Sequence, residues 1–294
     1  MRLMTNQKTE IVTALIDGDI IPYEFGACKG EDGKPLEWSF VQSRVDSRLH
    51  KIMEATGATE RKIYLTDSPT NYRLLVASIR PYKGTRPSEK PPLWEAIREF
   101  LIEHRGAEVI SYMEADDKLA ISQYERMEEG DTIICTVDKD LDTVPGWHYN
   151  WRKGDPYFIE ELEAHKFLYK QLLTGDTVDN IPGLYGVGEK SKVLRTIDSC
   201  TTEQKMFEVC REEYEKRFGS YWTQFMTENY RLLRMLRSQN EADGAKEAVL
   251  RHREMEECME KGENPLKLLG LDGSPLDKAP PKLEIVNNSP TLKE

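Results

Sequence analysis

Residues 132–142 read TIICTVDKDLD, a short β-branched and apolar run that leads directly into three aspartates. The run Thr132–Val137 predicts a buried strand. Asp138, Asp140 and Asp142 follow at or just beyond its carboxyl end. This stretch therefore predicts a strand that delivers carboxylates to one edge of a sheet.

The same arrangement recurs along the chain. Three further predicted strands each lead into an acidic residue, namely Ile11–Ile16 into Asp17, Lys62–Thr66 into Asp67, and Ala107–Tyr112 into Glu114. Predicted helices cover Val41–Ala55, Leu93–His104 and Lys118–Met127, and Trp147–Trp151 predicts one more strand. Alternating strands and helices indicate an α/β fold with a mostly parallel central sheet. Because ligands bind at the carboxyl edge of such a sheet, we expect the acids to converge there.

The set of acids is completed by two pairs at i,i+3 spacing. Glu114 and Asp117 lie in MEADDK, together with Asp116, at the predicted start of the helix that Lys118–Met127 continues, and Asp176 and Asp179 lie in TGDTVDNIPG. So many carboxylates repel one another unless cations neutralise them. Mg²⁺ and Mn²⁺ prefer oxygen ligands, and two such ions can clamp the attacking and leaving oxygens of a phosphodiester.

Individual acids also have plainer interpretations, which the sequence leaves open. Asp67, followed by Ser-Pro, is typical of a turn residue or helix N-cap. Asp116 fits an acid favoured by a helix N-terminus, and Asp142 fits a solvated side chain. Asp19, in IDGDII, has no assigned role.

A basic and aromatic segment, RPYKGTRP, begins at Arg80. Lys83 and Arg86 are suited to hold a phosphate by charge, Arg86 with a bidentate grip. Tyr82 is predicted to stack on a terminal base. The alternative is a solvated loop punctuated by prolines.

The glycine-rich stretch DNIPGLYGVGEKSK, which starts at Asp179, predicts a helix-hairpin-helix turn. Gly186 and Gly188 allow a tight turn and close backbone approach. The next helix is predicted to start near Glu189 and to present its N-terminal amides to a DNA phosphate, with Lys190 and Lys192 adding positive charge. A nucleotide-binding loop is the alternative, but the GxxxxGK[ST] spacing is absent.

Composition sets the remaining limits. The 294 residues carry a net charge of −11, which is unusual for a nucleic-acid binder unless clustered acids bind cations. The five cysteines are scattered and indicate neither a disulfide framework nor a zinc site. No membrane span or signal peptide is predicted, so we expect a cytoplasmic protein without a membrane partner.

The motifs YKGTRP, EADD, TVDKDLDT and GDTVDNIPGLYGVGEK resemble, in order and spacing, the flap endonuclease and 5′–3′ exonuclease family. That family includes phage exonucleases and the 5′-nuclease domain of DNA polymerase I. The resemblance runs from about Ile11 to Lys192. It implies a PIN-like α/β domain, a helix-three-turn-helix DNA grip, and a bacterial or phage-infected cytoplasm as the setting.

The resemblance also implies roles for individual residues. Two divalent ions, Mg²⁺ with Mn²⁺ as a substitute, are expected on one first-metal group and one second-metal group of carboxylates. The expected ligands are Asp17, Asp67, Glu114, Asp116 and Asp117 for the first ion and Asp138, Asp140, Asp176 and Asp179 for the second. The expected catalytic residues are Lys83, Arg86, Asp116 and Asp138. The expected DNA contacts are Arg80, Tyr82, Lys83, Arg86, Gly186, Gly188, Lys190 and Lys192, with K⁺ held by backbone carbonyls near the two glycines.

The sequence thus predicts a 5′-nuclease acting on DNA with 5′ ends or flaps, with RNA–DNA hybrids as further substrates and a monomer as the expected state. Two other hypotheses are a non-catalytic, structure-specific DNA-binding protein and a DxD phosphatase, which IDGDII suggests but Ile21 does not favour. The predicted regions are a PIN-like catalytic domain over 1–155, a helical DNA-binding region over 156–240, and a charged helix with a largely disordered tail over 241–294.

Overall fold

The computed structural model describes residues 10–29, 33, 36–86 and 89–261. Its central strands are β1 Thr13–Asp17, β2 Glu60–Thr66, β3 Glu108–Ile110, β4 Thr132–Cys135, β5 Gly146–Tyr149 and β6 Tyr157–Ile159. They form one sheet in the spatial order β3-β2-β1-β4-β5-β6. The first five pair in parallel, and β6 is antiparallel to β5. The predicted α/β class with a mostly parallel sheet is confirmed.

Ten helices are assigned in the described part of the chain. They are α1 Ile20–Phe25, α2 Trp38–Thr56, α3 Arg73–Val76, α4 Trp94–Arg105, α5 Ala115–Glu125, α6 Glu161–Thr174, α7 Lys192–Ser199, α8 Glu203–Phe218, α9 Trp222–Leu233 and α10 Gln239–Glu260. Short 3₁₀ turns cover Ser68–Thr70, Lys139–Thr143 and Gly219–Tyr221. A small antiparallel pair joins β7 Gly175–Asp176 to β8 Ile181–Pro182. None of these helices combines the length and apolar character that a membrane crossing requires.

The sheet is covered by helices on both faces, which explains the continuous apolar runs of β1 and β4. Side chains alternate across a strand, so Ala14 and Ile16 face one core and Leu15 faces the other. The first core receives the predicted stripe of α2, whose four residues are at most 1% exposed, namely Val41, Val45, Leu49 and Ile52. The second core is covered by α5 and by the apolar side of α10.

The helices after β6 enclose a core of their own, built largely on α6, α8 and α9. The sheet ends at Ile159, so its last strand lies just beyond the predicted boundary at residue 155. α10 packs back onto the sheet region through Ala242 and Val249. The division into three regions remains a prediction, and the tail expected after Lys261 lies outside the described residues.

One predicted helix start was confirmed, and two other predicted boundaries were wrong. α5 begins at Ala115, as the helix start predicted at Glu114 and Asp117 requires, and the Asp117 carboxylate accepts the N–H of Glu114 (3.1 Å) there. β3 ends at Ile110, since Tyr112 has a left-handed backbone (φ 71°). α7 begins at Lys192 rather than near Glu189, which lies in a turn.

Candidate active site at the carboxyl edge of the sheet

Asp17 is the last residue of β1, the strand at which the order of strands in the sheet reverses. The chain builds β2 and β3 on one side of β1 and then crosses to place β4 on the other, so ligands are expected beside the end of β1. Asp17 is 2% exposed and accepts hydrogen bonds from the Thr136 hydroxyl (2.7 Å) and the Asp19 N–H (3.1 Å). Burial, followed by the charges of Asp19 and Asp138, raises the pKa of Asp17 to about 7.

Asp116 and Asp138 complete the centre of this edge. Asp116 lies in the first turn of α5, and Asp138 follows β4. Burial, followed by the charges of Asp17, Asp138 and Glu114, raises the pKa of Asp116 well above its ordinary value. These three aspartates come from separate elements of the chain and lie close enough for their charges to repel one another.

Asp140 extends the acidic edge toward the helical region. Its side chain accepts a hydrogen bond from the Gln171 amide of α6 (2.6 Å). Burial, and then the charges of Asp138, Asp176 and Asp179, raise the pKa of Asp140 to about 7. Asp176 is itself buried, and its Oδ1 accepts the N–H groups of Val178 (2.7 Å) and Asp179 (3.0 Å).

Glu114 and Asp179 differ from these acids because cationic side chains reach them. Glu114 is 6% exposed and pairs with Lys83 and with Arg73 (3.5 Å). Burial alone would raise the pKa of Glu114, but these two charges and the hydrogen bonds it accepts hold it below its ordinary value. Asp179 pairs with Arg86 and lies 3.9 Å from the Lys83 Nζ.

Residues 80–86, which we call the basic loop, carry these cations. Arg80 is exposed, whereas Lys83 and Arg86 point into the site. The expected stacking of Tyr82 on a base was wrong: Tyr82 is 7% exposed, and its hydroxyl donates to Glu114 (2.8 Å) and Asp179 (3.0 Å). Tyr82 therefore holds two carboxylates in place.

The expected role of Asp117 as a metal ligand also differs from its contacts in the structure. Asp117 is fully buried, and Arg73 engages both of its carboxylate oxygens. The N–H groups of Glu114 (3.1 Å) and Leu236 (3.0 Å) donate to the same oxygens. With every side of the carboxylate occupied, Asp117 serves the packing of α5 against the segment after α9 and is not free to bind a metal.

The other acids near the edge have local partners. Asp67 accepts from the hydroxyls of Thr70 (3.1 Å) and Ser111 (3.0 Å), which favours the turn interpretation over a metal ligand. Asp142 accepts from the Tyr157 hydroxyl (2.8 Å). Asp19 accepts from the Thr66 N–H (3.0 Å) and from Arg98 (3.2 Å), so it ties β1 to β2 and α4.

The glycine-rich stretch forms an exposed hairpin between β8 and α7. Gly186 has a left-handed backbone (φ 82°). Lys190 and Lys192 are exposed, and no ion pair is recorded for either within the described residues. The hairpin backbone is held from two sides, by Arg217 donating to the Tyr185 carbonyl (2.7 Å) and by the Gly188 N–H donating to the Ser191 Oγ (2.9 Å).

The chemistry of the donor atoms fits divalent cations, although no cage is preformed. In the described part of the chain, no three Asp, Glu, His or Cys side chains already stand around one metal position. The available donors are carboxylates with raised pKa values and the Gln171 Oε1, which is buried and has no hydrogen-bond partner among the described residues. Oxygen donors under mutual repulsion suit a hard cation.

The sequence reasoning missed the residues that hold the acids. Thr136, Gln171 and Arg73 each contact an aspartate of the edge or of α5. Only Thr136 belongs to a motif that the sequence singles out, TVDKDLDT. Gln171 and Arg73 lie in helices whose sequence gives no sign of the contact.

No protein-family model matches the chain. The thermostable DNA polymerase I of Thermus aquaticus is 28% identical over 194 residues, which cover 60% of this chain and 23% of that protein. Flap endonuclease Xni of Shewanella sp. (strain W3-18-1) is 28% identical over 134 residues, which cover 41% of this chain and 51% of that protein. The chain thus spans about half or less of the length of the curated relatives it matches.

Two solved structures share low similarity with this chain. The T5 D15 protein co-crystallised with metal ions has a TM-score of 0.47 at 16% identity, covering 75% of this chain and 98% of that one. The catalytic core of Rad2 in complex with DNA substrate has a TM-score of 0.42 at 14% identity, covering 82% of this chain and 80% of that one. The sequence matches to a flap endonuclease and to DNA polymerases I agree with the motifs at the carboxyl edge, and the chain is similar in sequence to members of the flap endonuclease and 5′–3′ exonuclease family.

Proposed function

We propose that this chain is a metal-dependent 5′-nuclease that hydrolyses phosphodiester bonds of DNA at or near a 5′ end, as an exonuclease or a structure-specific flap endonuclease. One observation carries the proposal. Asp17 at the end of β1, Asp116 in the first turn of α5 and Asp138 after β4 lie close enough for their charges to repel, beside a loop whose Lys83 and Arg86 pair with acids of the same edge. Carboxylates that repel one another are suited to bind divalent cations, and neighbouring cationic side chains are suited to bind a phosphate. Together they fit the hydrolysis of a phosphate ester.

The acidic residues would hold two divalent cations, Mg²⁺ or Mn²⁺, on Asp17, Asp116, Asp138, Asp140 and the neighbouring Glu114, Asp176 and Asp179. Bound there, the cations would supply an activated water and neutralise the charge that develops on the phosphate. Thr136 and Gln171 orient the aspartates they contact, as outer partners of metal ligands do.

Lys83 and Arg86 would grip the phosphate at the scissile bond. Lys83 pairs with Glu114 and Arg86 pairs with Asp179, so a substrate phosphate would compete with these carboxylates for the two cations. Arg86 offers a planar fork for two phosphate oxygens, whereas Lys83 acts as a single charge. Burial would lower the pKa of Lys83, but Glu114 and Asp179 raise it, which keeps Lys83 charged at neutral pH.

The hairpin would hold the duplex without reading its sequence. Gly186 and Gly188 leave the backbone open to a phosphate, and Lys190 and Lys192 add exposed charge beside the start of α7. We include in the proposal a K⁺ ion on the hairpin carbonyls, Arg80 as an outer phosphate contact, RNA–DNA hybrids as additional substrates, and a monomeric enzyme.

The proposal is tested with a 5′-labelled flap duplex in Mg²⁺, in Mn²⁺ and in EDTA, beside Asp138→Asn. We expect short 5′ products that depend on the metal and are lost in the variant, and their length distinguishes trimming from cutting at the junction. Metal-independent binding without cleavage would replace the nuclease by a structure-specific binding protein. Hydrolysis of a generic phosphomonoester, with DNA untouched, would favour a phosphatase.

A further inference from the structure

A buried carboxylate outside the acidic edge fixes the start of the basic loop. Glu228, on α9, is 7% exposed. It accepts hydrogen bonds from the backbone N–H groups of Ser78 (2.9 Å) and Ile79 (2.8 Å), and from the Ser78 hydroxyl. Residues 78 and 79 are the last two before the basic loop, so Glu228 determines where that loop begins.

No cationic side chain pairs with Glu228 within the described residues. A buried carboxylate is costly unless hydrogen bonds satisfy it, and hydrogen bonds to a charged acceptor are about twice as strong as neutral ones. The three donors on Glu228 all come from the two residues that precede the basic loop. A helix residue needed for packing alone would be apolar, so the carboxylate serves this contact.

A second anchor holds the middle of the same loop. The Asn180 side-chain amide donates to the Pro81 carbonyl (2.9 Å), and the Lys83 N–H donates to the Asp179 carbonyl (2.9 Å). Asn180 (φ 59°) and Lys83 (φ 56°) both have left-handed backbones, which asparagine tolerates well and lysine does not. A lysine persists in that conformation only where its surroundings enforce it.

We propose that Glu228 and Asn180 are positioning residues for the nuclease site. Together they clamp the basic loop at its start and its middle, and so aim Lys83 and Arg86 at the acidic edge. Both belong to the part of the chain that follows the sheet, so the placement of the phosphate-gripping cations depends on the helices and hairpin as well as on the contacts of the loop with Glu114. This inference rests on the proposed function for its catalytic consequence, while the clamp itself is a property of the protein without substrate.

The test uses Glu228→Gln, which keeps the shape but removes the charge and one acceptor, and Asn180→Asp, which keeps an αL-tolerant residue but removes the donor. Gln224→Ala is the matched control, because Gln224 is exposed on α9 one turn before Glu228 and its side chain makes no hydrogen bond within the described part of the chain. Hydrogen–deuterium exchange of the peptide over 76–86, on the full chain without metal or DNA, reports the clamp. Single-turnover cleavage and equilibrium binding of a flap duplex report its consequence.

We expect both variants to exchange faster over 76–86, while Gln224→Ala matches the wild type. Cleavage should slow about 10- to 100-fold at saturating DNA, because displacing a reacting group by an ångström has that size of effect. The dissociation constant for the duplex should change less than about 2-fold, because the hairpin is untouched. This split between rate and binding separates positioning from a general loss of structure.

Unchanged exchange in Asn180→Asp, the milder variant, would overturn the clamp even if Glu228→Gln does not fold. Faster exchange with an unchanged cleavage rate would overturn the positioning role. A wild-type protein that does not cleave DNA would refute the proposed function instead, and the exchange experiment would still decide whether the clamp exists.

Discussion

Two groups of carboxylates lie side by side at the carboxyl edge of the sheet, and they differ in what neutralises them. Glu114 and Asp179 are paired with cations of the basic loop, and the pKa of Glu114 falls below its ordinary value. Asp17, Asp116 and Asp140 face other carboxylates, and their pKa values rise. Burial acts on both groups, so the sign of the shift is set by the neighbouring charges.

The difference separates two functions within one edge. Within the described residues the unpaired acids form no ion pair, and the repulsion among them outweighs the nearby lysines, so external cations have most to offer there. The paired acids already have a counter-charge, so they are where a substrate phosphate must compete for the same cations. Substitutions in the two groups should therefore have opposite effects on the stability of the metal-free protein.

The largest expected effect is on cleavage by Asp116→Asn. Losing one ligand of the unpaired group removes several kcal/mol of transition-state stabilisation, which corresponds to roughly a 10³-fold slower reaction. The melting temperature of the metal-free protein should rise, because a source of repulsion with Asp17 and Asp138 is gone. Single-turnover cleavage and thermal unfolding in EDTA measure the two effects.

Asp142→Asn is the control, since Asp142 bonds to Tyr157 rather than to the acidic edge. It should cleave within about 2-fold of the wild type, as substitutions away from a site usually do. A lower melting temperature for Asp116→Asn in EDTA would mean that this residue is stabilising and would break the distinction between the two groups.

The neighbouring residue should behave in the opposite way. Asp117→Asn leaves the fully buried Arg73 without its counter-charge. Breaking a buried ion pair by removing one partner costs about 3–5 kcal/mol, or roughly 10 °C in melting temperature for a chain of this size. Thermal unfolding of the two single variants, in EDTA, compares them directly. A melting temperature unchanged by Asp117→Asn would contradict a structural role.

The fold was accessible from the sequence because its signals are local and repeated. The stripe of α2, the apolar runs of β1 and β4, and an acid after each strand are all patterns of neighbouring residues. The predicted class and sheet followed from them. The boundaries that failed depend on the conformation of single residues, such as the left-handed backbone of Tyr112 just after the end of β3.

The chemistry of the site was predictable only in part, for a physical reason. Asp116 and Asp117 are adjacent and look alike in sequence, yet one faces carboxylates and the other a buried guanidinium. The deciding partner, Arg73, lies 44 residues from Asp117 along the chain. Glu228 lies 149 residues from Ile79. Contacts over such separations leave no local pattern in the sequence. The acids of the site could therefore be found, but metal-binding acids could not be distinguished from structural ones.

A smaller effect is the pH dependence of the metal-free fold. The pKa of Asp17 rises from 3.8 to about 7 on folding, so between these values the folded protein holds a proton that the unfolded chain has lost. Stability therefore falls as the pH rises from about 4 to about 7 and then levels off. For an isolated group this shift corresponds to roughly 4 kcal/mol. The acids titrate together, so we expect about 2 kcal/mol from Asp17 alone.

The measurement is thermal unfolding in EDTA from pH 5 to pH 8, for the wild type and Asp17→Asn. Burial lowers the pKa of His148 and His165, which makes stability rise with pH below about 6.5 and opposes the effect. The difference between the two proteins removes that contribution, and it should favour the variant increasingly as the pH approaches 7. Curves that stay parallel would show that Asp17 is not under the predicted repulsion.

The smallest expected effect is on the salt dependence of DNA binding, and it compares lysines with and without an ion pair. Lys190 and Lys192 are exposed with no recorded ion pair, whereas Lys83 is bound to Glu114. A free lysine on a phosphate releases about one counterion, so Lys192→Ala should weaken duplex binding a few-fold and reduce the slope of log K against log salt by about 1. Lys83→Ala should reduce that slope less in Ca²⁺-free, Mg²⁺-free buffer, because Glu114 already neutralises the lysine that this substitution would remove.

Binding titrations from 50 to about 200 mM salt measure both slopes. Equal slopes for the two variants would mean that DNA draws Lys83 away from Glu114 without help from a metal, and the carboxylates of the paired group would then be open to cations as soon as substrate is bound.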